Sequence, residues 1–451
     1  MATHLILLAA GQGTRMKSDL PKVLHPIGGQ AMFLHALASA GVLSPERTVV
    51  VIGPGAEAVA RATHAVDPAA VTAIQEDRLG TAHAVAQARA ALEGAGGDAL
   101  VLYGDTPFLQ PSTLAAMAEA RSGGADVVIL GFEAADPARY GRLVMDGDRL
   151  TRIVEWKDAS DAERAITFCN SGVVLAATDT LFDLIDAVGN DNAAGEYYLT
   201  DIVAIANARG LKATAVACAE EETLGINSRG DLAAAEAVFQ TRKRAEMLEA
   251  GVTLTAPETV YFAHDTVIGR DAVVEPHVVF GPGVTVETGA TIRAFSHLEG
   301  AHVGQGATVG PYARLRPGAE LSNDTRVGNF VEIKNATLGD GAKVNHLSYI
   351  GDASVGAATN IGAGTVTCNY DGVFKHRTEI GERAFIGSDT MLVAPVKIGD
   401  EAMTASGSTI TRDVPEGALA LGRARQENKP GFARRLFEKL KAAKAAQQKG
   451  D

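Results

Sequence analysis

A chain of 451 residues is too long for one ordinary hydrophobic core, so two or three domains are expected, and its formal charge of −13 argues against a nucleic-acid surface. No apolar run reaches the roughly 20 residues of a membrane helix, and "LILLAA" lacks a basic leader and a cleavage region. Cys169, Cys218 and Cys368 have no metal-site spacing, so the expectation is a cytoplasmic protein with three ordinary thiols, no transmembrane segment and no nucleic-acid partner.

The first strand-length run, Leu5 to Ala10, breaks into "GQGTRM". Gly11 and Gly13 permit a tight turn whose N–H groups can face an anion. The pattern has neither the third glycine of a dinucleotide fold nor the Gly-Lys-Ser/Thr ending of a Walker loop, so the glycines alone fit a structural turn equally well. Arg15, and Lys22 in the proline-started "SDLPKVLHPIGG", add two cations on the side of the loop and turn the reading toward a polyphosphate.

Farther along, "TVVVIG", "ALVLYGD", "DVVILGF" and "FCNSGVVLAA" read as strands, while "TAHAVAQARAALEG" and "STLAAMAEARS" read as helices. This alternation predicts a mostly parallel α/β sheet with ligands at the carboxyl ends of its strands. "RLVMDGDRLTRIVE" predicts a hairpin across Asp146 and Gly147. Asp105, ending the strand "ALVLYGD", can hold Mg²⁺ with waters or simply cap the turn opened by Thr106-Pro107. Residues 229–250 read as one linker helix, which sets a first domain at 1–228 and a second at 251–451.

Beyond residue 250 an aliphatic residue recurs every sixth position, from Ile268, Val274, Phe280, Val286, Ile292 and Leu298 and, with a one-residue slip, through Leu315 and Ile333, then after further slips through Val344 and Ile361 and, past an irregular insert, to Ile398 and Ile410. A small or β-branched residue, such as Ala272, Ala290, Ala313 or Ala384, commonly stands two positions earlier, and glycine often follows. No helix has that period. It suits a parallel β-helix in which three hexapeptide sides make a coil and the aliphatic residues stack inside. The hexapeptide-repeat family, which this pattern resembles, implies a left-handed, trimeric solenoid.

Arg316 and Lys334 directly follow stacked residues one coil apart, and coils lie about 4.8 Å apart, so the two cations repel unless an anion lies between them. Close by stand Asn345, His346, Tyr349 and Asn360, then the insert "CNYDGVFKHRTEI". The resemblance to hexapeptide-repeat enzymes implies acyl transfer, and the chemistry fits, since a histidine near its ordinary pKa can take the proton of an amine that attacks a thioester.

"LAAGQGTRMKSDLPKVLH", "LGTAHA", "YGDTPFL", "YGRLV", "CNSGV" and "EYYLTD" resemble the sugar-nucleotide pyrophosphorylases. Together with the hexapeptide region, the chain to about residue 430 resembles the bacterial family that combines N-acetylglucosamine-1-phosphate uridylyltransferase with glucosamine-1-phosphate N-acetyltransferase. The resemblance implies a Rossmann-like nucleotidyltransferase domain, a left-handed β-helix, UTP, acetyl-CoA, glucosamine 1-phosphate and Mg²⁺, and a homotrimer.

Residue by residue, it implies that Leu8, Ala9, Ala10 and Gly11 line the nucleotide, with Arg15 and Lys22 on its phosphates and Gln75, Gly80 and Thr81 at uracil. Tyr103, Gly104, Gly141, Glu155 and Asn170 would surround the acetylated sugar, and Asp105 with Asn227 would hold Mg²⁺. In the second half Arg316, Lys334, Tyr349 and Asn360 would hold the sugar phosphate, with His346 as base. Ala363, Asn369, Tyr370, Ser388, Ser406 and Arg423 would contact acetyl-CoA. Gln12 and Ser406 stand where the family's pattern varies.

The basic tail "FARRLFEKLKAAKAAQQKGD", from about residue 431, predicts a helix with Phe432, Leu436 and Leu440 on one face, packing on a neighbour. Two alternatives remain at this point: a single-function sugar-1-phosphate nucleotidylyltransferase with a scaffold solenoid, and a non-catalytic regulatory subunit of the same plan.

Overall fold

Six of the seven residues of the first strand, β1 (Thr3–Ala9), are buried in the computed structural model, which describes residues 2–192 and 194–447. A strand covered on both faces needs no polar alternation, which is why "HLILLA" reads as a continuous apolar run. It sits inside a sheet with β2 (Arg47–Ile52), β3 (Val71–Ile74), β4 (Asp98–Tyr103), β5 (Val127–Glu133), β6 (Arg142–Asp146), β7 (Arg149–Val154), β8 (Phe168–Ala177) and β9 (Ala213–Cys218).

The order is β9-β5-β8-β4-β1-β2-β3, with the β6–β7 hairpin attached to β8. β1 runs parallel to β2 and β4, whereas β8 runs antiparallel to β4 and β5. Register sets Ala9 beside Ile52 and Leu8 beside Tyr103, so the loops after β1, β2 and β4 leave the sheet together. Ile6 and Leu8 face one core layer, while Leu5 and Leu7 face the other, as the period of two requires.

The β6–β7 hairpin forms with Asp146 opposite Arg149 and Gly147 in the left-handed region at φ 59°. "TAHAVAQARAALEG" does not form one helix: it makes Thr81–Ala86 and Arg89–Leu92. The N–H groups of Gln87 and Ala88 bond three residues back, which tightens the turn and ends the α-helical run. The helix Arg229–Glu249 forms as expected, and Ala235 and Phe239 pack it into the core under β1 and β4.

By compactness the chain divides into two units: one runs to Glu246 and takes in Phe262–His264, the other comprises Met247–Tyr261 and the chain from Asp265 onward. The second unit is a parallel β-helix of the left-handed hexapeptide type. Its interior is three columns in strict register. One runs Val274, Ile292, Val309, Val327, Val344, Ile361, Ile386 and Thr404. Leu338 and Thr367 also belong to the interior, each six residues from a named member of the repeat, Val344 and Ile361. Thr367 and Thr404 are tolerated because their hydroxyls bond Gly351 O at 3.0 Å and Gly387 N at 3.0 Å.

Glycine does not turn every corner. Many use larger residues at positive φ, among them His277 (60°), Phe295 (61°), Tyr312 (57°) and Phe330 (56°). A side chain there costs about 1–2 kcal/mol relative to glycine, so an offsetting contact is called for. The four rings stack face to face along one corner, with centroids 5.0, 5.0 and 5.3 Å apart. The terminal basic helix spans Phe432–Gln447 with Phe432, Leu436 and Leu440 exposed, and residues 448–451 lie outside the described residues.

Two candidate active sites

At the carboxyl ends of β1 and β4 a cavity of about 340 Å³ is lined by Leu8–Gly11, Lys22, Gln75, Gly80, Thr81, Tyr103 and Asp105, together with Arg78 and Glu196, which the motifs did not single out. Gly13 adopts φ 62°, and a Cβ on it would stand 2.5 Å from Lys22 Cβ, so only glycine lets the loop close against the lysine. Lys22 Nζ donates to Asp105 Oδ2 at 2.5 Å and to Asn227 Oδ1 at 3.0 Å. The expected phosphate cation and the expected metal ligands therefore meet at one point. Those two oxygens already hold a cation, and as hard donors they fit Mg²⁺. Among the described residues no group of three or more His, Cys, Asp or Glu is placed to hold a metal ion.

Arg15 does not line the cavity: it is exposed, and its charge helps hold the Asp231 carboxyl below its ordinary range. Burial pushes Asp231 the other way, but the N–H groups of Asn227 and Ser228 and the Ser228 hydroxyl outweigh it. Gln75 donates its amide nitrogen to Gly80 O at 3.2 Å, leaving its carbonyl oxygen to accept from a ring N–H. Leu199 N donates to Thr81 Oγ1 at 3.0 Å, and Gly104 N donates to Leu8 O at 2.9 Å.

Gly141, Glu155 and Asn170 form a neighbouring group. Asn170 N donates to Gly141 O at 2.8 Å, and a Cβ on Gly141 would lie 3.4 Å from Glu155 Oε1. Burial raises the Glu155 carboxyl pKa, with the Thr200 hydroxyl opposing at 3.3 Å. Burial likewise raises Tyr103, with the negative fields of Asp105 and Glu155 adding, so its hydroxyl stays protonated as a donor. The fully buried Arg142 guanidinium donates to the carbonyls of Pro137, Ala138, Tyr140 and Arg164, fixing the turn that presents Gly141.

In the β-helix, Leu315 pairs with Ile333 and Lys334 with Gly351, so Arg316, Lys334 and the Tyr349 strand lie on successive coils. Arg316 is not without a counter-charge, as the cation pair suggested: Nη1 donates to Glu332 Oε1 at 2.8 Å. Lys334 is the strained cation. The Lys375 ammonium beside it, with Arg316 adding, depresses its pKa. Asp352 answers these charges. Burial raises its pKa, but donors from Asn335 and Asn369, with Lys334 and Lys375, hold it below the ordinary range. Lys375 went unmarked in the sequence because it lies in the insert, outside the repeat.

His346 is exposed, and its Nδ1 lies 2.8 Å from Asn329 Oδ1, its register partner one coil below. An amide oxygen can only accept, so Nδ1 carries a proton and, in the neutral ring, Nε2 is the nitrogen with the lone pair. The remaining residues form a column: Asp389 N donates to Ala363 O at 2.7 Å, Gly407 N to Ser388 O at 2.7 Å, and Arg423 Nη1 to Ser406 O at 2.8 Å. Asn369 is buried against Asp352, while Tyr370 is exposed beside the insert hairpin. Asn360 pairs with Phe385, half-buried on the next coil.

Comparison with known proteins matches residues 5–220 to the MobA-like NTP transferase domain and residues 377–412 to the bacterial transferase hexapeptide (six repeats). The chain is 69% identical over 450 residues to "Bifunctional protein GlmU" of Ruegeria sp. (strain TM1040), covering 100% of both chains. It is 69% identical over 449 residues to the protein of that name from Ruegeria pomeroyi, again over 100% of both. With that of Cereibacter sphaeroides (strain ATCC 17025) it shares 67% over 446 residues, covering 99% of this chain and 98% of the other.

Proposed function

The chain belongs to the bifunctional GlmU family, and on that premise we propose which residues carry each half of its chemistry. It is a bifunctional transferase: it moves an acetyl group from acetyl-CoA to glucosamine 1-phosphate, then a uridylyl group from UTP to the resulting N-acetylglucosamine 1-phosphate. The single-function and regulatory alternatives fall with that assignment.

For uridylyl transfer, the sugar phosphate oxygen attacks the α-phosphorus of UTP and pyrophosphate leaves. Both reactants are anions, so the reaction needs charge neutralisation and alignment rather than a base. Gln75, Gly80 and Thr81 read the uracil, and the Gly11 turn receives the phosphates. Gly141, Glu155 and Asn170, with Tyr103 and Gly104, hold the acetylated sugar. Asp105 and Asn227 would hold Mg²⁺, which would supply positive charge at the phosphates. Lys22, which shares those two oxygens, is the ammonium nearest to them and would serve the phosphates. Arg15 joins it from the loop.

For acetyl transfer, Nε2 of His346 takes a proton from the substrate ammonium, the amine attacks the thioester carbonyl, and coenzyme A leaves as its thiol after accepting a proton. Arg316, Lys334 and Lys375 surround the sugar phosphate, with Tyr349 and Asn360 beside it. Ala363, Asn369, Tyr370, Ser388, Ser406 and Arg423 form the acetyl-CoA track. The observation that carries this half is His346 with its Nδ1 held on Asn329, in a β-helix whose successive coils also carry the cations Arg316 and Lys334.

The active form is a homotrimer. The aromatic corner supports this reading, since Phe295, Tyr312 and Phe330 are about half exposed at 50%, 48% and 57%, and Leu347 next to His346 continues the row at 62%. A second copy covering that corner would also enclose His346. The domain assignment, uridylyl transfer in 1–228 and acetyl transfer in 251–451, and a cytoplasmic location where UTP and acetyl-CoA are made, belong to the same proposal. Among the described residues no helix is long and apolar enough to cross a membrane.

The test is mass-spectrometric detection of N-acetylglucosamine 1-phosphate from glucosamine 1-phosphate and acetyl-CoA, without UTP. Product is expected, and chelating Mg²⁺ should leave this step intact while stopping the uridylyl step. Absence of product from a trimeric preparation would reduce the β-helix to a scaffold.

A further inference from the structure

The cavity at the end of β1 must accept a nucleoside triphosphate, yet its lining is balanced: Lys22 and Arg78 oppose Asp105 and Glu196. Lys22 is already engaged with Asp105 and Asn227. Arg15 is outside the lining, and between its glycines the loop presents neutral Gln12. The remaining cation is Arg78. Its Nε donates to Ala10 O at 3.1 Å, its only hydrogen bond among the described residues, and it has no ion-pair partner among them.

Arg78 is also held in place rather than adrift. Gln75 N bonds Ile52 O at 2.8 Å on one side of it, and Tyr197 N bonds Leu79 O at 2.7 Å on the other. A Cβ built on Gly53 would stand 3.0 Å from Arg78 Nη2, so the glycine after β2 leaves room for the guanidinium across the mouth of the Gly11 turn. Anchored by one N–H to the residue that opens the phosphate loop, the guanidinium keeps four N–H donors in a planar fork suited to phosphate oxygens.

We propose that Arg78 is a nucleotide-binding residue whose guanidinium, moored on the Ala10 carbonyl, takes the polyphosphate of UTP. The proposal rests on the first unit being the UTP site. It assigns the charge that Gln12 does not supply to a residue outside the loop, and it makes the resting cavity receptive while Lys22 is engaged.

The experiment measures binding of UTP and of uridine, each by competition against a fluorescent uridine nucleotide, to the full chain with Mg²⁺, for wild type, Arg78→Gln and Arg78→Lys. Arg78→Gln keeps a donor for the Ala10 carbonyl but removes the charge. Loss of one charge-assisted hydrogen bond should weaken UTP about tenfold, with Arg78→Lys between the two and uridine unchanged. The deficit should shrink as salt rises. Unchanged UTP binding in Arg78→Gln would overturn the proposal, and so would equal weakening of UTP and uridine, since Arg78 would then only shape the loop. Acetyl transfer by the same variant reports whether it is folded, and failure of the wild type to bind UTP would sink the parent reading instead.

Discussion

The two sites are built in opposite ways. The proposed nucleotide site is a cavity inside one unit, walled by buried β1 and β4 ends and closed by a lysine lying on the oxygens proposed to hold Mg²⁺. The proposed acetyl-transfer site is a row on the outside of a β-helix, with His346 exposed and the cations assigned to its substrate spread over successive coils. An α/β sheet gathers loops at strand ends and so makes concave sites by itself. A solenoid makes flat faces, and a flat face becomes an enclosed site only when something covers it.

That contrast can be broken from either end. The largest expected effect is Lys22→Ala, which removes one of the two cations that line the cavity and should lower uridylyl transfer on the order of a hundredfold or more while sparing acetyl transfer. Parallel assays on one preparation decide it, and equal loss of both activities would count against separate sites. Next is Phe330→Glu, which places a charge in the aromatic corner. It should yield monomers in sedimentation and cut acetyl transfer about tenfold or more, with uridylyl transfer little changed. A monomer with full acetyl transfer would show that the exposed row needs no cover.

Smaller effects sharpen the geometry of the row. A Cβ on Gly351 would stand 2.3 Å from Tyr349 Oη, so Gly351→Val should push the tyrosine off the sugar site and raise the KM for glucosamine 1-phosphate about tenfold. The mildest is a pH effect. Lys375 depresses the pKa of Lys334, so Lys334 loses its proton at lower pH than an ordinary lysine and its pull on phosphate fades sooner as pH rises. In Lys375→Met that depression is lifted, and the alkaline rise in KM should move to higher pH. A limb that stays in place would remove Lys334 from the phosphate site.

Most of this organisation was legible in the sequence because both units rest on strict periods. The period of six gave the columns from Ile268 to Ile410, since each side of a coil admits one inward residue. Glycine-rich and strand-end motifs gave the cavity, since strand ends must turn over the ligand. What escaped was set by contacts distant in sequence. Nothing local shows that Lys22 lies on Asp105 and Asn227, or that Glu332 offsets Arg316. Asn329, which fixes the tautomer of His346, is found only once the coil register is known. Arg78 and Lys375 sit in irregular segments where no period marks which way a residue faces. The break at Gln87 was invisible because every residue around it favours helix, and only the hydrogen bonds show where the turn tightens.

Two independent sites in one chain require that His346→Ala, assayed for both reactions, separate them. Loss of acetyl transfer by a factor of about 10²–10⁴, with uridylyl transfer at the wild-type rate in the same folded trimer, is the result predicted. Retention of acetyl transfer, or loss of both activities in a folded protein, would contradict it.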